Sequence, residues 1–314
     1  MRVGLGLAAL LFLLPVFTVT AVRGQRASEQ PEEPIQLLPP GEVDSARTLR
    51  VLDGDTVTEM TFSDYLQGVL RAEMPASFAQ DALCAQAVAA RTYTYYKMQN
   101  GGNHGDTADI CTDHTCCQAF LAKEKAAENW GKNAERYEAK IENAVSATDG
   151  QVMLYGGTPI LAVFHSSSAG ETWNSGQVWA QDLPYLQSVS SPEGEGVPNY
   201  YSTVELTEAE FREKFLAARP EADLSGPASE WIQDPVTDGV HVERITIGGV
   251  PVSGPSVRSI FGLRSASFTA EAGDGKITFY VTGYGHGVGM SQYGANAMAE
   301  AGSTWREILA HYYT

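Results

Sequence analysis

Pro75 constrains this chain more than any other residue. The stretch "GVLRAEMPASF" (Gly68–Phe78) begins as helix, and proline cannot continue a helix: it lacks the N–H and clashes with the preceding turn. Before it, Asp64–Ala72 carries Tyr65, Leu66, Val69 and Leu70 at helical spacing, with Ser63 as the expected N-cap. Beyond it a second helix is expected from about Gln80 to Met98. Its stripe of Leu83, Ala87, Ala90 and Thr94 is small enough to let another helix approach closely. Glu73 therefore falls at the junction of two packed helices. Arg71, two positions back, faces elsewhere. A carboxylate at a helix end is ordinarily a solvated charge. Against apolar walls, for which Leu70, Met74 and Phe78 are at hand, it becomes an acid that holds its proton.

The remaining pattern is mixed. Thr48–Val57 reads as a strand with a turn at Asp53-Gly54, and Asn100–Cys117 as a loop holding most of the Cys and His residues. Glu124–Ala147 reads as one helix with an exposed charged face. "GQVMLYGGTPILAVFHSSSAG" reads as a hairpin turning at Gly156-Gly157, followed by a long loop with Trp173, Trp179 and Tyr185. Thr207 and Glu210 make a capping box before a helix to Leu216. Strands are expected at 241–248 and 276–282, and a Gly-rich loop around His286 leads into two final helices. Helices and strands do not alternate regularly. The expected fold is α+β, with mixed helices and short antiparallel sheets.

The first 46 residues differ in kind. Val3–Val22 is an uncharged stretch of 20 residues ended by Arg23, long enough to span a bilayer and without a clean A-x-A cleavage site. It is read as a membrane-spanning anchor over residues 1–23, the alternative being a cleaved secretory signal. Residues 24–46, rich in Pro, Glu and Gln, read as a disordered linker, and 47–314 as the functional region. Either reading of the first segment puts the rest of the chain outside the cytoplasm. A net charge of −17 supplies no basic stripe, which argues against nucleic acid, polyanions or an anionic membrane surface as the main partner.

Three stretches then fit together: "YLQGVLRAEMPASF…ALCAQAVAARTY", "FHSSSAGETWNSGQVWAQDLPYLQSVSS" and "GYGHGVGMSQYGANAMA". In order and spacing they closely resemble the stage II sporulation protein D (SpoIID/LytB) family, from about Thr48 to Thr314. The resemblance implies a SpoIID-like fold and a peptidoglycan lytic transglycosylase. Such an enzyme cuts the β-1,4 bond from N-acetylmuramic acid to N-acetylglucosamine in peptide-free glycan strands and leaves 1,6-anhydro ends, during septal thinning and engulfment. It implies Glu73 as the catalytic residue. Arg91, Thr172, Asn174, Tyr185, His286, Ser291, Gln292 and Tyr293 are implied as substrate-binding or supporting residues. For Arg91 an ion pair between helices is the alternative. Trp173 and Trp179 could stack on sugars or fill the core. Where the family commonly reads "YLKSV", this chain has Gln187 in place of Lys. The resemblance also implies a membrane-anchored amidase and endopeptidase and a multi-spanning scaffold protein as partners, with the protein anchored in the mother-cell membrane and facing the intermembrane space.

"NHGDTADICTDHTCCQAF" places His104, Cys111, His114, Cys116 and Cys117 close together. Outside the cytoplasm a disulfide is the default, Cys111 pairing with Cys116 or Cys117. The other reading is zinc, since thiolate and imidazole are suitable ligands. Some family members bind zinc here through one His and two Cys, which implies His104, Cys111 and Cys117, with His114 or Cys116 as substitute, in a structural site. Cys84, among alanines, reads as a core thiol. Two other functions stand beside the transglycosylase: a zinc-dependent amidase, against which no H-E-x-x-H is present, and a non-catalytic glycan binder or amidase modifier.

Overall fold

The computed structural model describes residues 39, 41–100, 104–179 and 181–314. The apolar N-terminal stretch and nearly all of the linker before Gly41 lie outside them. Among the described residues no helix is long and apolar enough to cross a membrane.

Ordered structure begins earlier than the composition of the linker suggests. A single helical turn, α1 (Glu42–Ser45), buries Asp44, and the Asp149 carboxylate accepts the N–H groups of Val43 and Asp44 at 2.9 Å each. The hairpin of β1 (Thr48–Asp53) and β2 (Thr56–Thr61) follows, its turn using Gly54 at φ 57°. Then comes α2 (Phe62–Glu73). Its cap is Thr61, whose hydroxyl accepts the Asp64 N–H at 3.0 Å. Ser63 is instead a buried first-turn residue, because the helix starts two residues early to bury Phe62. Met74, forced to extended backbone by the proline after it, ends the helix.

The next helix, α3 (Gln80–Gln99), is the axis of the molecule. Rather than one buried stripe, every residue from Ala82 to Thr92 is buried. Five alanines in that run let α2 and later helices close in from all sides. A short β3 (Ile110–Cys111) joins β1 in parallel. The expected single helix over 124–147 is two, α4 (Lys123–Trp130) and α5 (Ala134–Ala147), because Gly131 adopts φ 53° and turns the chain between them. Then come the small hairpin β4 (Leu154–Tyr155) and β5 (Thr158–Pro159), β6 (Phe164–His165) and a helical turn, α6 (Ser175–Val178).

Residues 201–282 build a second apolar core. They comprise β7 (Tyr201–Thr207), α7 (Glu208–Ala218) with the expected capping box, β8 (Ile232–Thr237), β9 (Val242–Ile247), β10 (Val250–Ser253), α8 (Gly254–Phe261), β11 (Phe268–Gly273) and β12 (Lys276–Thr282). Two three-stranded antiparallel sheets, in order β10-β9-β8 and β11-β12-β7, enclose Phe211, whose ring stacks on Phe215, Trp231, Phe261 and Phe279. The chain then returns to the first core through β13 (Met290–Ser291), α9 (Gln292–Glu300) and α10 (Trp305–Tyr312). β13 pairs in parallel with β6, Met290 opposite Phe164 and Ser291 opposite His165. The fold is α+β with short sheets, and the β1–β3 and β6–β13 pairings are parallel rather than antiparallel. The β6–β13 pairing stitches the third sequence motif to the second.

Candidate active site

Glu73 is the last residue of α2, half-buried, and its neighbours Leu70, Met74 and Phe78 are all buried. Its Oε1 accepts the backbone N–H of Ala119 at 2.8 Å, and its carbonyl accepts from Gln292 Nε2 at 2.9 Å. Burial pushes its pKa upward; the Ala119 N–H and the nearby His114 oppose that push only in part. The carboxyl opens into a cleft of 260 Å³ lined also by Tyr93, His114, Gln118, Phe164 and His286, among others. Among the described residues Glu73 is the sole carboxylate in that lining.

The third motif reaches the cleft through its glycines. At Gly289, φ is 70° and a Cβ would sit 2.2 Å from the Val163 carbonyl, so only glycine lets this loop press against β6. His286 Nδ1 accepts the Val288 N–H at 3.1 Å, and its other nitrogen bonds the Phe164 backbone. Burial lowers its pKa to about 3, so at neutral pH it is an uncharged ring with both nitrogens engaged. It lines the cleft beside Glu73. Ser291 caps α9 and donates to Glu193 Oε1 at 2.6 Å, which also accepts the Ser168 N–H. Tyr293 packs edge-on against Phe78, with ring centroids 4.8 Å apart, and Asn296 Oδ1 accepts the Ala79 N–H at 2.8 Å. Gln292, Tyr293 and Asn296 thus brace the residues on either side of Pro75, while Ser291 ties the start of α9 to Glu193.

Four expected site residues lie outside the described lining of this cleft. Arg91 is fully buried and does not face Glu73. It grips Asp44 through Nε (2.9 Å) and Nη2 (2.6 Å) and bonds the Gln151 carbonyl at 3.2 Å. The ion-pair alternative is the correct one, and the partner comes from α1, inside the expected linker. Thr172 is buried, its hydroxyl accepting the Val189 N–H at 2.9 Å. Asn174 closes the same loop, its Oδ1 accepting the Ser188 N–H at 2.7 Å. Tyr185 lines a different groove, of 380 Å³, beside Tyr155 and Trp305, and its hydroxyl accepts the Leu161 N–H at 3.2 Å. Of the tryptophans, Trp173 is core, bonded to Asp238 at 3.1 Å, while half-buried Trp179 sits 5.2 Å from the His286 ring.

The loop after α3 supplies a cluster. His104, Cys111, Cys116 and Cys117 bring their donor atoms within 4.8 Å of one another. His104 Nε2 lies 3.5 Å from each of Cys116 Sγ and Cys117 Sγ, and those sulfurs are 3.6 Å apart. None of the four cysteines is in a disulfide. Thiolates at ~2.3 Å from a tetrahedral zinc would be ~3.8 Å apart, so three sulfurs and one imidazole at these spacings suit that ion. Cys116 joins the implied three as a fourth donor, whereas His114 points into the cleft and is largely exposed. Cys84 is buried in the core, its thiol pushed up to about 12.

These features define a mixed α+β protein with one half-buried acid in a cleft beside a thiol–imidazole cluster. A profile of the SpoIID family, described as Stage II sporulation protein, matches residues 53–155. The chain is 36% identical over 259 residues to Stage II sporulation protein D of Bacillus amyloliquefaciens, covering 82% of this chain and 74% of that protein. To the protein of the same name from Bacillus subtilis (strain 168) it is 37% identical over the same length, with the same coverage. It is also 29% identical over 308 residues to a Bacillus subtilis protein named Amidase enhancer, covering 79% of this chain and 39% of that protein. The chain belongs to the SpoIID family of sporulation proteins.

The sequence did not reveal Asp44, Tyr93, Gln118, Ala119 or Glu193. The Ala119 N–H carries no side-chain signature. Tyr93 sits one residue off the expected stripe of α3, half-buried just past the fully buried run, and lines the cleft.

Proposed function

We propose that this protein is a lytic transglycosylase of peptide-free peptidoglycan glycan, with Glu73 as its proton donor and acceptor. One observation carries this: a single carboxylate, its pKa raised by burial, opens into a cleft whose described lining holds no second one. Hydrolysis of a glycosidic bond ordinarily uses two carboxyl groups flanking it. Transglycosylation needs one, since the sugar supplies its own nucleophile. Protonated Glu73 gives its proton to the glycosidic oxygen as the bond to C1 breaks. The 6-hydroxyl of the same muramic sugar attacks C1, and Glu73 takes the proton that this hydroxyl releases. The products are a free 4-hydroxyl and a 1,6-anhydro end, and no water is consumed. The Ala119 N–H occupies Oε1 and leaves Oε2 for the substrate.

In this reading the thiol–imidazole cluster takes zinc as a structural ion held by His104, Cys111, Cys116 and Cys117. The bound ion would cross-link the loop, and Ala119, two residues beyond Cys117, is the residue that bonds Glu73. The amidase reading is weaker, because four protein donors leave no open position for a metal-bound water. The same proposal sets the protein on the outer side of a membrane through its N-terminal stretch, receiving strands from an amidase and endopeptidase and docked to a multi-spanning scaffold.

The relative named Amidase enhancer favours a second reading, a glycan binder that modifies an amidase. Mass spectrometry of peptide-free strands after incubation with the protein separates the readings. Anhydro-ended fragments are expected; reducing ends would mean a hydrolase, and unchanged strands a binder.

A further inference from the structure

The sheet β11-β12-β7 has a solvent face that the Glu73 cleft does not use. Strand register sets Tyr201 opposite Thr282, and Tyr280 between Thr203 and Thr269, so alternation puts these side chains on one face. The other face, with Val204, Phe279 and Val281, packs into the second core. Where the solvent face meets Ala169 and the turn at Gly239 lies an open cavity of 380 Å³. Tyr201 is 58% and Tyr280 46% exposed, so both rings are open to a ligand. Both are held by their tips: the Tyr201 hydroxyl donates to Glu195 at 2.7 Å and that of Tyr280 to Glu271 at 3.4 Å.

The chemistry of the lining is selective. Among the described residues it offers two exposed aromatic rings, the hydroxyls of Ser267, Thr269 and Thr282, and backbone groups, with no acidic or basic side chain in the lining itself. A phosphate or an acidic peptide would find no counter-charge there, only the Glu195 and Glu271 carboxylates at the tyrosine tips. A pyranose, apolar on its ring faces and hydroxylated at its edge, matches both kinds of group. The cavity is also tied to the catalytic region. Ala169 on its rim is five residues from Phe164 in the cleft, a chain distance of at most about 18 Å. Ser167 between them is fixed by paired backbone bonds to Tyr284 at 2.8 and 3.0 Å.

We propose that this cavity is a second glycan subsite, binding an uncharged N-acetylhexosamine unit of the strand whose scissile bond lies at Glu73. The link to Glu73 rests on the transglycosylase reading; the sugar site itself does not. The test is calorimetric binding of chito-oligosaccharides and of peptide-free glycan strands to the full chain carrying Glu73→Gln, so that nothing is cut. Replacing both Tyr201 and Tyr280 by Ala should weaken binding of long strands at least about tenfold. Binding of fragments that fill only the cleft should not change. Phe at both positions should keep most of the affinity, and melting temperatures should stay put because both rings are exposed. Long strands bound equally well by the double Ala variant, or no strand binding by the parent, would overturn the proposal; equal binding would leave this face to a protein partner. With Glu73 intact the two readings separate. Tyrosine-dependent binding without cleavage would sink the transglycosylase and keep the subsite. Cleavage with a KM indifferent to both tyrosines would do the reverse.

Discussion

Two carboxylates, at Glu73 and Asp44, are taken out of water in the helical core, and burial pushes both pKa values up. What opposes burial differs. Asp44 has the Arg91 guanidinium against it at 2.6 Å, in a pocket where Thr148 and two carbonyls occupy the remaining donors. Glu73 has one backbone N–H, the nearby His114 and an open cleft. A buried charge whose partners are complete is a clamp, here fastening α1 to α3. One left incomplete beside a cavity keeps a proton to exchange. The family resemblance put Glu73 and Arg91 in one site; their surroundings separate them.

That contrast can be broken by substitution. Glu73→Gln should lower glycan cleavage by about 10²–10⁴-fold, the usual contribution of a general acid–base group, with the fold intact by circular dichroism. Arg91→Met should act on stability instead. It strands Asp44 and should cost about 3–5 kcal/mol in denaturant unfolding, while Arg91→Met with Asp44→Leu should recover most of that. If Arg91→Met lost cleavage at unchanged stability, the clamp reading would be wrong. Chelation should remove one zinc per chain by metal analysis, lower the melting temperature by several degrees and reduce cleavage as Ala119 loosens, with zinc restoring all three.

The pH dependence of stability sharpens the same comparison. Folded Glu73 binds its proton more tightly than the ordinary side chain at 4.5. Its contribution is therefore full below that value and lost as pH rises through the folded pKa. Glu73→Gln should be more stable than wild type at neutral pH, and the gain should shrink toward zero below pH 4.5 in thermal melts. The smallest effect should come from Tyr185→Phe, which leaves the Leu161 N–H unpaired. About 1 kcal/mol of stability is expected to go, and cleavage should stay near wild type because Tyr185 lines another groove.

Local rules made much of the fold legible. Pro75 ends α2 where its chemistry demands, Thr207 and Glu210 form the cap their spacing announces, and Gly156-Gly157 turns a hairpin. Rules of this kind fail where the partner is distant. Arg91 meets Asp44 across 47 positions, and Gln292 meets Glu73 across 219. No periodicity encodes either pairing. The thiol–imidazole cluster was visible by type, but its fourth donor, Cys116, depends on how the loop folds.

The most direct measurement of the central claim is the titration of Glu73 itself. Glutamate side chains labelled with ¹³C at the carboxyl can be followed by NMR in wild type and Glu73→Gln, the missing resonance giving the assignment. One carboxyl should titrate clearly above the ordinary value of 4.5 and be absent from the variant. A Glu73 resonance titrating at or below that value would mean a solvated or fully compensated charge, and would contradict its role as the proton donor of the cleft.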